Sequence, residues 1–130
     1  MSQTVLIIDD NENDILITKR VLSKMGRDIK VKTALSGEAG LELLRSGTPL
    51  PALILLDLKM PGMDGFEVLR NIRQDKSLKH IPISVVTHSL LESDIAASYE
   101  GGANCVLHKA LDIDHFGKEI AFLLERYMGN

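Results

Sequence analysis

The run ALILLDLKMPGMDGFEVL, residues 52–69, decides the fold. It opens on five apolar residues, Ala52–Leu56, with none of the polar alternation of a half-exposed strand. It therefore reads as a parallel strand covered on both faces. A carboxylate, Asp57, closes it, and Asp64 stands as N-cap to a helix predicted over Gly65–Gln74. Strand, acidic tip, loop and helix make one βα unit.

The same unit recurs outward in both directions. Strands are predicted at Thr4–Ile8, Ile29–Leu35, Ile83–Thr87 and Cys105–Leu107, and helices at Asp14–Met25, Gly37–Arg45, Glu92–Glu100 and Asp114–Met128. Thr4–Ile8 and Ile83–Thr87 are nearly all apolar and belong in the sheet centre. Ile29–Leu35 alternates, with Lys30 and Lys32 between apolar positions, which suits an edge strand. The first helix places Ile17, Val21, Leu22 and Met25 on one face before Gly26, and the last carries a stripe of Phe116, Ile120, Leu123, Leu124 and Tyr127. Right-handed crossovers leave few ways to join five such units, and a doubly wound α/β sheet with helices on both faces is the favoured one.

The chain has 130 residues and a formal net charge of -3, so one domain over residues 1–130 is expected. The 21 residues after Lys109 suffice for one helix and leave no room for an effector domain. Cys105 is the single cysteine, which excludes an internal disulfide, and MSQTVLIIDD lacks the marks of a signal peptide; a cytoplasmic location is expected. No apolar run approaches the ~20 residues a bilayer span needs. No basic tract suggests nucleic acid as a partner.

Ligands of open parallel sheets bind at the carboxyl ends of the strands. Those ends here are Asp9 and Asp10, Asp57, Thr87 and Lys109. Taken singly, an Asp after a strand is often only a helix cap, and a Lys is usually solvated. Taken together, five such residues at four strand ends are hard to assign to accident. Three carboxylates repel one another unless a hard, oxygen-preferring cation offsets them, which points to Mg²⁺. That ion takes one or two carboxylates plus a phosphate, so a phosphoryl site follows, with Lys109 as a second cation and the Thr87 hydroxyl as a hydrogen-bonding group.

The motifs IIDDNENDI, LILLDLKMPGMDGFEVL, VVTHS and VLHKA, in this order and spacing, resemble the receiver domains of two-component response regulators over essentially the whole chain. The resemblance implies a flavodoxin-like (βα)5 sheet in the order 2-1-3-4-5. It also implies that Asp57 is the phosphoacceptor for a sensor histidine kinase or phosphotransfer protein. Asp10, Asp57 and the Lys59 backbone carbonyl would hold Mg²⁺ directly and Asp9 would hold it through water, while Thr87 and Lys109 would contact the phosphoryl group. The output would be a shift of the loop after Thr87, read at the face formed by the helix at Glu92–Glu100, the strand at Cys105–Leu107 and the last helix. Partners or a second copy dock at that face in the family, so a homodimer is plausible.

Three positions depart from the family pattern. Val106 stands where an aromatic switch residue is usual; His108, on the same face by strand alternation, either takes up part of that role or is a solvated edge histidine. His88 replaces a small residue, and its ring either narrows access to Asp57 or points into solvent. Ala110 replaces a proline that commonly follows the lysine through a cis bond. Lys109-Ala110, Asn104-Cys105 and Ser98-Tyr99-Glu100 are similar to the stand-alone regulators paired with phytochrome-type kinases.

Two other classes are weighed against this one. A pseudo-receiver, an interaction module without a phosphorylation-dependent switch, is opposed by the intact Asp9, Asp10, Asp57, Thr87 and Lys109 set. Enzymes on the same fold are disfavoured too: DDNEND after the first strand would repel an FMN phosphate, and Lys59 stands where a dehalogenase-type phosphatase needs its acid Asp. A signalling protein, not a turnover enzyme, is the expectation.

Overall fold

The computed structural model describes residues 3–46, 49–89, 91–109 and 112–129. Strands and helices alternate: β1 (Gln3–Ile8), α1 (Glu12–Ser23), β2 (Ile29–Ala34), α2 (Gly37–Leu44), β3 (Leu53–Leu56), α3 (Gly65–Gln74), β4 (Ile83–Thr87), α4 (Glu92–Glu100), β5 (Cys105–His108) and α5 (Ile113–Met128). Every ladder is parallel and the order is β2-β1-β3-β4-β5, so the flavodoxin-like topology is met and β2 lies at an edge. Ile8 pairs with Leu56, Leu56 with Val85, and Thr87 with His108. These registers bring the carboxyl ends of β1, β3, β4 and β5 onto one rim.

Alternation along the strands divides the core into two layers. Leu6, Ile8, Ile54, Leu56, Ile83 and Val85 pack with Leu41 and Leu44 of α2 and with Val68, Leu69 and Ile72 of α3. On the other face Val5, Ile7, Leu53, Leu55, Val86 and Leu107 meet α1 and α5. Each fully buried Leu or Ile contributes roughly 1.5–3 kcal/mol, which secures α1, α2, α3 and α5. In α4, by contrast, only Ser98 is buried, and its hydroxyl is turned back onto the Asp94 carbonyl at 2.8 Å. With no large apolar anchor, α4 is an element that can shift at low cost.

The first helix departs from expectation in extent and in phase. The Asn11 side chain caps it by accepting from the Asp14 amide, so it begins at Glu12 instead of Asp14. Its buried face is Ile15, Thr18, Val21 and Leu22, while Ile17 is 42% exposed. Thr18 enters the core because its hydroxyl donates to the Asp14 carbonyl at 3.0 Å, which removes the cost of burying it. The helix stops at Ser23, short of Met25, and Gly26 follows at φ 68°.

Other boundaries differ by a residue: β1 starts at Gln3, β2 ends before Leu35, β3 starts after Ala52, β5 extends to His108, α2 ends at Leu44 and α5 starts at Ile113, capped by Asp112. Cys105 is half-buried against the α1–α5 side. The Lys109–Ala110 junction lies outside the described residues.

The start of α3 sits directly on the backbone of the β3 tip. The Gly65 amide donates to the Leu58 carbonyl at 2.9 Å, and a Cβ at this position would run into the Asp57 carbonyl oxygen and lie 2.7 Å from Leu58 Cα. Backbone atoms cannot step aside as a flexible side chain can. Gly65→Ala is therefore expected to lower stability by about 1–3 kcal/mol in urea unfolding. Gly117→Ala in α5, whose Cβ would find nothing closer than Val21 Cγ1 at 3.9 Å, is expected to raise it by about 0.5–1 kcal/mol. Equal effects at the two positions would contradict this reading.

Candidate functional site

The rim presents Asp9 and Asp10 just past β1, Asp57 just past β3, Thr87 at the end of β4 and Lys109 just past β5. The Lys109 amide donates to the Thr87 carbonyl at 2.8 Å, and the Asp57 amide donates to the Ile8 carbonyl at 2.9 Å. Sheet hydrogen bonds thus fix the backbones that carry the reactive groups. Asp10, Asn11, Asp14, Asp57, Lys59, Thr87, His88 and Lys109 line an open cleft of about 320 Å³.

One ammonium organises the cleft. Lys109 Nζ, on a side chain only 9% exposed, lies 2.7 Å from Asp9 Oδ2, 2.9 Å from Asp14 Oδ2 and 3.5 Å from Asp57 Oδ1. Asp9 is buried, and its second oxygen accepts the Asn11 amide at 2.9 Å, whereas Asp10 is exposed. Burial works against the charge on Lys109, but its carboxylate partners outweigh that and hold its pKa above the ordinary lysine value. Asp14 is pulled the other way: burial raises its pKa, and Lys109 and His88 more than reverse the effect, leaving it below the usual carboxylate value.

Asp57 is the strained member of the group. Burial, with Asp9 and Asp10 nearby, lifts its pKa to about 6 even though Lys109 acts to lower it. Asp9, Asp10 and Asp57 each offer an oxygen within 4.8 Å of the others. An all-oxygen set with excess negative charge and one carboxylate that resists ionisation fits a hard divalent cation such as Mg²⁺.

The remaining sequence-derived positions lie around this centre. Thr87 is buried, and its hydroxyl oxygen accepts the Ser89 amide at 3.1 Å. The Lys59 side chain reaches out to Asp94 of α4 at 3.2 Å and lies 5.8 Å from the centre of the Phe66 ring. Val106 is half-buried against the α2–α3 side, and its amide meets the Tyr99 hydroxyl at 3.2 Å. His108 is exposed, with Nε2 3.1 Å from the His88 carbonyl oxygen. The His88 ring, 65% exposed, lies at the edge of the cleft with Nε2 3.2 Å from Asp14.

Asp14 is the residue that attention to strand ends overlooks, because it belongs to a helix. The available signal is the capping pattern: with Asn11 as N-cap, Asp14 falls in the first turn, where side chains lean back toward the helix start and hence toward the rim.

Residues 5–121 match the family model for the response regulator receiver domain. The chain is 35% identical over 123 residues to the response regulator Rcp1 of Synechocystis, covering 91% of this chain and 84% of Rcp1. It is 30% identical over 129 residues to a probable methanogenesis regulatory protein, FilR2, of Methanothrix harundinacea, covering 96% and 83%. The phosphorylated cyanobacterial phytochrome response regulator RcpA superposes with a TM-score of 0.90 at 30% identity over 98% of this chain and 95% of RcpA. The Mn²⁺-bound form of Rcp1 gives 0.85 at 34% identity over 95% and 92%.

The raised pKa of Asp57 makes stability depend on pH. Unfolding returns the group to its ordinary 3.8, so the folded protein holds this proton more tightly than the unfolded chain. Stability is lost as pH rises from 3.8 to about 6, because the folded state is then left holding a carboxylate that its surroundings disfavour. In metal-free buffer, Asp57→Asn is expected to melt at a higher temperature than the wild type at pH 7.5. The gap should narrow on acidification through that window, and adding Mg²⁺ at pH 7.5 should narrow it too. A gap that stays constant with pH would contradict the assignment.

Proposed function

Because this chain belongs to the response regulator receiver domain family, we propose that it is a phosphoacceptor signalling switch with Asp57 as its acceptor. The single observation that carries this reading is the convergence of Asp57, the Asp9–Asp10 pair, Thr87 and Lys109 on one rim. Asp10, Asp57 and the Lys59 backbone carbonyl are assigned to hold Mg²⁺ directly and Asp9 through water. When bound, the ion neutralises the acidic cluster and the charge of an arriving phosphoryl group.

The chemistry asked of the chain is modest. A carboxylate oxygen of Asp57 forms the new O–P bond as the P–N bond of a donor phosphohistidine breaks, and the bonding electron pair stays with the imidazole. The protein supplies position and charge. Burial keeps Asp57 poorly solvated and therefore reactive once ionised. Lys109 stands 3.5 Å away as the cation for phosphoryl oxygens, and the Thr87 hydroxyl can turn toward them. Nothing in this scheme needs repeated turnover of a small substrate.

Output is assigned to the loop after β4 and to α4. A phosphoryl group adds roughly two negative charges, which draw Thr87 and Lys109 inward. Thr87 is joined to α4 through the Ser89 amide and through the Ser89 hydroxyl, which donates to Asp94 at 2.6 Å. Since α4 has no large buried anchor, a small pull at Thr87 can reposition it, along with the Tyr99–Val106 contact on β5. The α4–β5–α5 face is the proposed docking surface, for a partner or for a second copy.

The likeness to RcpA, a cyanobacterial phytochrome response regulator, supports a phytochrome-type histidine kinase as the donor, directly or through a phosphotransfer protein. Residues 1–130 are assigned to one receiver domain, and a cytoplasmic location is proposed for it. No described helix is long and apolar enough to cross a membrane.

Intact-mass analysis after incubation with Mg²⁺ and a small acyl phosphate tests the assignment. One phosphoryl adduct is expected on the wild type and none on Asp57→Asn or without Mg²⁺. An adduct that persists in Asp57→Asn would move the acceptor elsewhere, and no adduct under any condition would favour the pseudo-receiver.

A further inference from the structure

Two donors from separate elements converge on one oxygen of Asp14. Lys109 Nζ, beyond β5, lies 2.9 Å from Oδ2, and His88 Nε2, from the loop after β4, lies 3.2 Å from the same atom. The carboxylate itself is held in place: its residue's amide is capped by Asn11 and its carbonyl takes the Thr18 hydroxyl. Asp14 therefore joins α1 to the two segments that must move in a phosphoryl response.

The distances around Lys109 show which way the ammonium is drawn. It makes short, charge-assisted contacts with Asp9 at 2.7 Å and Asp14 at 2.9 Å, and stands farther from Asp57 at 3.5 Å. The cation is thus shared with the α1 side of the cleft. His88, directly after Thr87, is fixed twice, at its ring by Asp14 and at its carbonyl by the His108 ring at 3.1 Å. An inward movement of Thr87 must lengthen or rotate one of these contacts.

We propose that Asp14 is a positioning residue of the site, a strap that holds Lys109 and the Thr87–His88 segment in the resting arrangement and so opposes the phosphoryl-bound one. The inference rests on the reading of Asp57 as acceptor. A group on Asp57 gains Lys109 fully only as Asp14 gives it up, so the strap's energy is a difference between two states and sets their balance. Asp9 has no such hold on the loop, because among the described residues its side chain bonds Lys109 and the Asn11 amide and has no hydrogen bond or ion pair with residues 87–89. Among the described residues, the Asp14 carboxylate is the one that meets both the ammonium and a side chain of the loop.

The test is a fluorine-NMR titration of beryllofluoride, a phosphoryl analogue, in Mg²⁺ buffer. It compares wild type, Asp14→Asn, His88→Ala and the double variant, each shown to be folded by its thermal melt. Asp14→Asn keeps the shape and removes the charge, and is expected to bind about fivefold tighter or more, within the usual range of coupling between sites. His88→Ala should bind tighter by a smaller factor. The double variant should be no tighter than Asp14→Asn, because both changes cut one strap.

In metal-free protein, nitrogen relaxation should show larger motion of the residue 88 and 89 amides in Asp14→Asn, a readout independent of the bound ion. Unchanged or weaker beryllofluoride binding by folded Asp14→Asn would overturn the proposal. Were that variant not to fold, the His88→Ala titration would decide in the same sense. Absence of binding to the wild type would instead remove Asp57 as acceptor, and the strap with it.

Discussion

The Lys109 ammonium is the interaction on which the rest depends. It is buried at the centre of a carboxylate group drawn from the tips of β1 and β3 and from α1. Burying a charge is costly unless it is paired, and removing one partner leaves the others uncompensated. Lys109 therefore locks three elements together, yet its partners compete for it. The same ammonium that stabilises the resting site is the one a phosphoryl group would claim, which ties structure and switching to one atom.

The fold supplies a rigid frame and one loose part. Parallel ladders and two apolar layers fix the tips of β1, β3, β4 and β5. The contact of Gly65 with the backbone at Asp57 and Leu58 sets the β3 tip against α3. On this frame α4 carries polar links, from Asp94 to Lys59 and Ser89 in the loops after β3 and β4 and from Tyr99 to the Val106 amide of β5. Those contacts are weak enough to exchange and lead back to Thr87 and to the loop after Asp57. The physical division is between tips that must not move and a helix that can.

Much of this was legible in the sequence because it rests on local rules. Apolar runs ending in polar residues locate the strands and the rim. What was not legible depends on contacts across the fold. The phase of α1 turned on the Asn11 cap and on Thr18 satisfying its own hydroxyl, so Ile17 faces outward despite being apolar. Asp14 reads as an ordinary first-turn acid until β5 brings Lys109 to it across 95 residues of chain. Likewise nothing local to Val106 announces that Tyr99 of the preceding helix covers its amide.

The most direct test is a crystal structure of the protein with Mg²⁺ and beryllofluoride. The account predicts the analogue on Asp57, with Lys109 Nζ withdrawn from Asp14 and bonded to a fluorine and the Thr87 hydroxyl turned toward another. A complex in which the analogue sits on Asp57 while Lys109 keeps its contacts with Asp9 and Asp14 unchanged would contradict the view that one shared ammonium couples the resting and phosphoryl-bound states.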